Sequence, residues 1–228
     1  MSLKDLAPRT RRQLLLQGAL PCLAWHCSAL AALTPAAVAA APTSTRVLIV
    51  GDSLSAEYGL ARGTGWAALL AERLRKERTG VEVVNASISG DTTSGGRARL
   101  APLLTQHKPT VVVIELGGND ALRGMPLQST RDNLRAMSQA AKAAGAKVLL
   151  VGMQVPPNYG RSYTEEFSAS FAQVAKAEGA ALVPFMLKGI ADQADAERWF
   201  QADRIHPKAE AHPLILANIW PALQPLLR

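Results

Sequence analysis

From Arg46 onward, short runs of aliphatic and β-branched residues alternate with longer stretches in which apolar positions recur every three or four residues. The runs are VLIV (47–50), VEVVNA (81–86), VVVIEL (111–116), KVLLVG (147–152) and ALVPF (181–185). They are nearly continuous, as expected of strands in a parallel sheet covered on both faces. Trp66 to Arg78 places Trp66, Leu69, Leu70 and Leu74 on one face of a helix. A second helix is predicted from Ser129, with Asp132 three residues on as a start signal, to Ala144, with Gly145 as the stop. A third is predicted over Phe167 to Glu178, ending at Gly179. The last helical stretch, after His206, contains Pro213 and Pro221 and must be broken, kinked or late to begin. Strand–helix alternation implies right-handed crossovers and a doubly wound α/β sheet. Ligands of such sheets bind beyond the carboxyl ends of the strands.

The first forty residues follow another pattern. A basic patch (Arg9, Arg11, Arg12) precedes an apolar run and a small-residue end, AAVAAAP. This is the layout of a signal peptide, residues 1–40, cleaved near Ala39 to Ala41. The paired arginines in TRRQLLLQ resemble a twin-arginine signal. Pro21, His26 and Pro35 interrupt the apolar run, which disfavours an uncleaved spanning helix. The expectation is an exported, periplasmic protein whose functional domain is residues 41–228. That domain is long enough for one sizeable core, and a hydrophobic fraction of 48% with 19% charged residues excludes a disordered chain.

Charge and cysteine content narrow the function further. Lys4, Arg9, Arg11 and Arg12 against Asp5 put +3 of the formal +7 in the leader, which leaves +4 on the domain. No basic stripe with interleaved aromatics is present there, so nucleic acid is not an expected partner. Both cysteines, Cys22 and Cys27, lie in the leader, so the domain has neither a disulfide nor a catalytic thiol. No GxGxxG follows the first strand and no GxxxxGK[ST] occurs, which argues against a nucleotide-dependent enzyme.

The first strand delivers GDS, Gly51 to Ser53, to the end of the sheet where ligands bind. By themselves these residues read first as a turn and a helix cap. Near the other end of the chain, DRIHP places Asp203 three residues before His206, so that one tight turn can point both side chains the same way. A serine nucleophile needs such a base, and the base needs an acceptor on its other ring nitrogen. DxxH alone is a weak motif. An oxyanion needs donors. Gly90 after the second strand offers a bare backbone N–H, and Asn119 after the third offers a side-chain amide. Each also has an ordinary reading as a turn or a helix start, but their joint arrival beyond strand ends is a poor coincidence.

GDSLS, NASISGDTT, GGND and DxxHP, in that order, resemble the four blocks of the SGNH (GDSL) hydrolases. The similarity runs from about Arg46 to Arg228 and is greatest to the acyl-CoA thioesterase I, arylesterase and lysophospholipase branch, with NASISGDTTSGGRARL, ELGGNDALRG and PPNYG as its specific tracts. The resemblance implies a flavodoxin-like three-layer α/β/α fold with a five-stranded parallel sheet. It implies Ser53 as nucleophile, His206 as general base oriented by Asp203, and the N–H groups of Ser53 and Gly90 with the Asn119 side chain as the oxyanion hole. It implies no metal and no organic cofactor. Gly51 is then expected to permit a sharp turn, and Asp52 to hold that turn through backbone N–H groups.

Apolar residues in the strand-end loops, Leu54, Leu122, Met125, Val155, Pro156 and Tyr159, are candidates for lining an acyl or aryl groove. Apolar pockets discriminate weakly per methylene, so broad acyl specificity is expected. His107 precedes the third strand, at the far end of the sheet, and His212 lies on the last helix; neither is an expected base. The reading is an esterase and thioesterase acting on small-molecule esters, with aryl esters, acyl thioesters and lysophospholipids in range. A monomer is expected, with transient contact with lipid surfaces. A glycan O-acetyl esterase and a non-catalytic lipid- or glycan-binding module use the same scaffold; the scarcity of aromatics in the site loops weighs against sugars.

Overall fold

The five apolar runs form five parallel strands in the computed structural model, which describes residues 45–78 and 80–228. These are β1 (Thr45–Gly51), β2 (Val81–Asn85), β3 (Val111–Glu115), β4 (Lys147–Val151) and β5 (Ala181–Val183). Their order is β2-β1-β3-β4-β5. Val47 to Val50 and Val111 to Ile114 are fully buried, which explains why these strands carry no polar alternation. The edge strand β2 is only partly covered, and Glu82 on it pairs with Arg46 at 2.7 Å.

Helices cover both faces. α1 (Trp66–Glu77) and α6 (His212–Leu223) pack on one side, and α2 (Thr93–His107), α4 (Leu127–Ala143) and α5 (Arg161–Glu178) on the other. The short α3 (Gly118–Leu122) follows β3 directly. Buried Trp66, Leu70 and Leu74 form the inner face of α1, as the periodicity predicts. No helix among the described residues is long and apolar enough to cross a membrane. The leader, residues 1–40, lies outside the described residues.

Several boundaries differ from the sequence expectation, each for a local reason. α2 arises where no helix is predicted, because Gly95, Gly96 and Pro102 hide its apolar stripe. Gly96 is needed there, since a Cβ would collide with Leu116. α4 starts at Leu127, after Pro126, so Ser129 lies inside the first turn and caps nothing. α5 begins six residues before Phe167, because its first turns are polar and exposed and carry no core signal. Pro213 sits in the first turn of α6, where its missing N–H costs nothing, and the helix continues through Pro221 to Leu223. β5 stops before Pro184.

The order of strands reverses between β1 and β3. In an open α/β sheet that reversal opens a crevice at the carboxyl ends. Ser53 follows β1, and Asn119 opens the helix that follows β3, so both stand on its rim.

Candidate active site

Beyond Gly51 the chain turns through Asp52 to Tyr58. The N–H groups of Ser55 and Ala56 bond the Asp52 carbonyl at 3.2 and 2.9 Å, and Asn85 at the end of β2 donates to the Ser55 carbonyl at 2.7 Å. Gly51 has no positive φ, contrary to the role expected of it. It is required for space, because a Cβ would lie 2.7 Å from Ser55 Oγ and 2.8 Å from Glu115 Oε2. Ser55 Oγ donates to Glu115 Oε2 at 2.7 Å and receives the Trp66 indole N–H at 3.2 Å, so a buried polar post stands under the turn. Burial and the nearby Asp52 charge push the Glu115 carboxyl well above the usual carboxylate range.

Asp52 does more than hold the turn. Its Oδ1 accepts the Leu54 N–H at 3.0 Å, and its Oδ2 accepts the side-chain amide of Asn119 at 3.0 Å, across 67 residues. The amide's remaining N–H is left to point elsewhere. Burial raises the Asp52 pKa to about 6, against the lowering effect of its two donors. Among the described residues the N–H groups of Ser53 and Gly90 bond no acceptor. Gly90 has φ +78°, a conformation natural to glycine. Its loop is tied to β1 by the Ile88 N–H on the Gly51 carbonyl at 3.0 Å. Arg99 on α2 holds the same loop from below, pairing with Asp91 at 2.7 Å and donating to the carbonyls of Ala86 and Gly51.

Asp203 and His206 lie in a loop closed by a bridge between Phe200 and Pro207 and by the Gln201 N–H on the His206 carbonyl at 2.8 Å. Arg204 takes φ +58° inside it, which lets the loop double back within three residues. Asp203 Oδ1 accepts the N–H groups of Ile205 and His206, both at 3.0 Å, while Oδ2 meets His206 Nδ1 at 2.7 Å. Burial would raise its pKa, but these donors outweigh it and hold the carboxyl down at about 2. His206 Nε2 stands 2.9 Å from Ser53 Oγ. With Asp203 ionised, Nδ1 carries the ring proton and Nε2 is free to accept that of the serine. Tyr58, which the sequence reading passes over, lies with its ring 4.3 Å from the imidazole. The Gln201 amide donates to the Tyr58 carbonyl at 2.9 Å and to that of Pro207 at 3.1 Å, joining the two loops.

Beside Ser53 lies a cavity of about 540 Å³. Of the predicted residues, Ser53, Leu54, Asn119, Leu122, Val155, Pro156 and His206 line it. Met125 and Tyr159 do not. The Met125 N–H turns back onto the Asp120 carbonyl at 2.9 Å, and the Tyr159 ring stacks 6.3 Å from that of Tyr163. Gly90 and Asp203 also stand outside the lining, one in the loop after β2 and the other behind the imidazole. The reading missed Met153, Phe185, Leu187, Ala191, Phe200 and Ile205, which complete the apolar wall. Met153 and Phe185 sit two residues past β4 and β5, where the strand-end rule points; the others belong to an irregular stretch with no period. His107 ends α2 at the opposite edge of the sheet, and His212 is buried, its Nδ1 accepting the Trp66 N–H at 3.0 Å. Among the described residues no group of three or more His, Cys, Asp or Glu side chains could hold a metal ion.

Residues 49–214 match the GDSL-like Lipase/Acylhydrolase family. The chain is 52% identical to Esterase TesA of Pseudomonas aeruginosa over 201 residues, 88% of this chain and 96% of that protein. It is 44% identical to Thioesterase 1/protease 1/lysophospholipase L1 of Escherichia coli over 187 residues, 82% of this chain and 87% of that protein. The crystal structure of TesA superposes with a TM-score of 0.76 at 53% identity, covering 80% of this chain and 99% of that one.

Proposed function

Because the chain belongs to the GDSL-like lipase/acylhydrolase family and hydrolyses ester bonds, we propose that it does so through an acyl-enzyme on Ser53. His206 Nε2 takes the proton of Ser53 Oγ as the oxygen attacks the substrate carbonyl, and Asp203 stabilises the imidazolium that forms. The oxyanion is met by the N–H groups of Ser53 and Gly90 and by the Asn119 amide. Collapse of the tetrahedral species breaks the ester bond, and His206 returns its proton to the departing alcohol or thiol. Water, deprotonated by the same imidazole, then attacks the acyl-serine and releases the acid and Ser53.

The observation that carries this reading is the chain of contacts from Ser53 Oγ to His206 at 2.9 Å and on to Asp203 at 2.7 Å, beside an apolar cavity. The cavity takes the acyl group, with aryl esters, thioesters and lysophospholipids as the substrate classes. Export is part of the proposal. Residues 1–40 direct the chain out of the cytoplasm, cleavage falls near Ala39 to Ala41, and the periplasm is the working compartment, in transient contact with lipid surfaces.

The deciding measurement is kcat/KM of residues 41–228 on p-nitrophenyl esters from acetyl to palmitoyl, with Ser53→Ala as the blank. Hydrolysis that vanishes in the blank and peaks at one range of chain lengths is the expected result. Hydrolysis that survives in Ser53→Ala overturns the mechanism.

A further inference from the structure

The acyl cavity and the Gly90 loop flank Ser53 on opposite sides. The cavity is walled by residues following β3, β4 and β5, and no residue of the β2–α2 loop lines it. An acyl group seated there leaves the alcohol or thiol half of the substrate on the open side, where His206 can protonate it. A cation waits on that side. Arg123, exposed at the end of α3, donates from Nη2 to the carbonyl of Gly90 at 2.8 Å. Its guanidinium is therefore within about 7 Å of the Gly90 N–H, given the span of one residue's backbone.

The charge of Arg123 is uncompensated. Among the described residues no carboxylate lies within ion-pair distance of it. The acid that follows Gly90 and the one three residues before Arg123 are committed elsewhere, Asp91 to Arg99 at 2.7 Å and the buried Asp120 to the N–H and hydroxyl of Thr93. A carbonyl partner satisfies one N–H and fixes the guanidinium without neutralising it, and the other donors of this exposed side chain make no hydrogen bond among the described residues.

We infer that Arg123 forms a subsite for an anionic leaving group, a phosphate, sulfonate or carboxylate carried on the alcohol or thiol side of the substrate. The inference rests on Ser53 as the nucleophile and deepens that reading by naming a residue that meets the leaving group. A charge-assisted, two-pronged hydrogen bond to an oxyanion is the chemistry guanidinium suits best.

The test compares two chromogenic esters with the same acyl chain, 4-nitrophenyl octanoate and 3-carboxy-4-nitrophenyl octanoate. In Arg123→Gln, kcat/KM on the carboxylated ester is expected to fall about tenfold further than on the neutral one. Arg123→Lys keeps part of the preference. In the wild type, raising ionic strength from about 0.02 to about 0.5 M erodes the preference, and in Arg123→Gln it does not. An equal fall on both esters, or no change on either, overturns the subsite, and so does a wild-type preference indifferent to salt. Failure of the underlying reading looks different, since there Ser53→Ala would itself retain hydrolysis of both esters.

Discussion

Asp52 divides its two oxygens between the backbone beyond Ser53 and the side chain of Asn119. One buried carboxylate thus fixes both the serine and an amide 67 positions away, and their alignment depends on it. Under the proposed mechanism Asn119→Ala is expected to lower kcat by about 10²–10³, the cost of a lost oxyanion donor, with little change in KM. Asp52→Asn has one acceptor oxygen for two donors, so it lowers kcat by about tenfold, and the double variant is no worse than Asn119→Ala alone. Steady-state kinetics on a short ester check all three. The places of Ser53 and Asn119 just past strands and of Asp203 and His206 in one tight turn were legible, because each residue type suggests its chemistry and the spacing suggests its position. The grip of Asp52 on Asn119 was not, since it exists only once β1 and β3 are neighbours. Nor was the true reason for Gly51, which is the space taken by Ser55 and Glu115.

At the level of elements, α2 is the instructive case. Its two glycines look like loop residues, yet Gly96 lets the helix lie against Leu116 at the end of β3, and Arg99 one turn on braces the Gly90 loop. Gly96→Ala gains about 1 kcal/mol of helix propensity and meets a side chain with little room to yield. The net expectation is a loss of about 1–2 kcal/mol in denaturant unfolding, because overpacking a core contact outweighs the propensity gain. The strands and α1 announced themselves through burial, since a fully buried strand leaves no place for polar residues. The early turns of α5 bury little, and their apolar signal is correspondingly absent.

Across the whole molecule, His212 links layers that are far apart in sequence. From α6 its Nδ1 caps the first N–H of α1, the helix whose Trp66 supports Ser55 under the turn that carries Ser53. Burial lowers the His212 pKa, against the opposing pull of Glu57 and the Pro207 carbonyl. A histidine with a lowered folded pKa binds its proton more readily when unfolded, so its contribution to stability is present above about pH 6.5 and is lost as pH falls. The raised carboxyls of Asp52 and Glu115 act in the opposite sense, so the test is a difference. Between pH 7.5 and 5.5 the unfolding free energy of His212→Gln should fall less steeply than that of the wild type, as urea titrations at each pH would show. Sequence alone gave the layers and strand ends but only part of the cavity, because its far wall is an irregular stretch from Phe185 to Ile205 that acquires meaning only when folded over β4 and β5. The side chains of Met153, Phe185 and Leu187 supply no atom to the contacts joining Ser53, His206 and Asp203. Met153, Phe185 and Leu187 can therefore be exchanged for larger or smaller residues while the reacting atoms stay where they are. Descendants of such a chain are free to drift from one ester to another by single substitutions, each intermediate remaining a working enzyme.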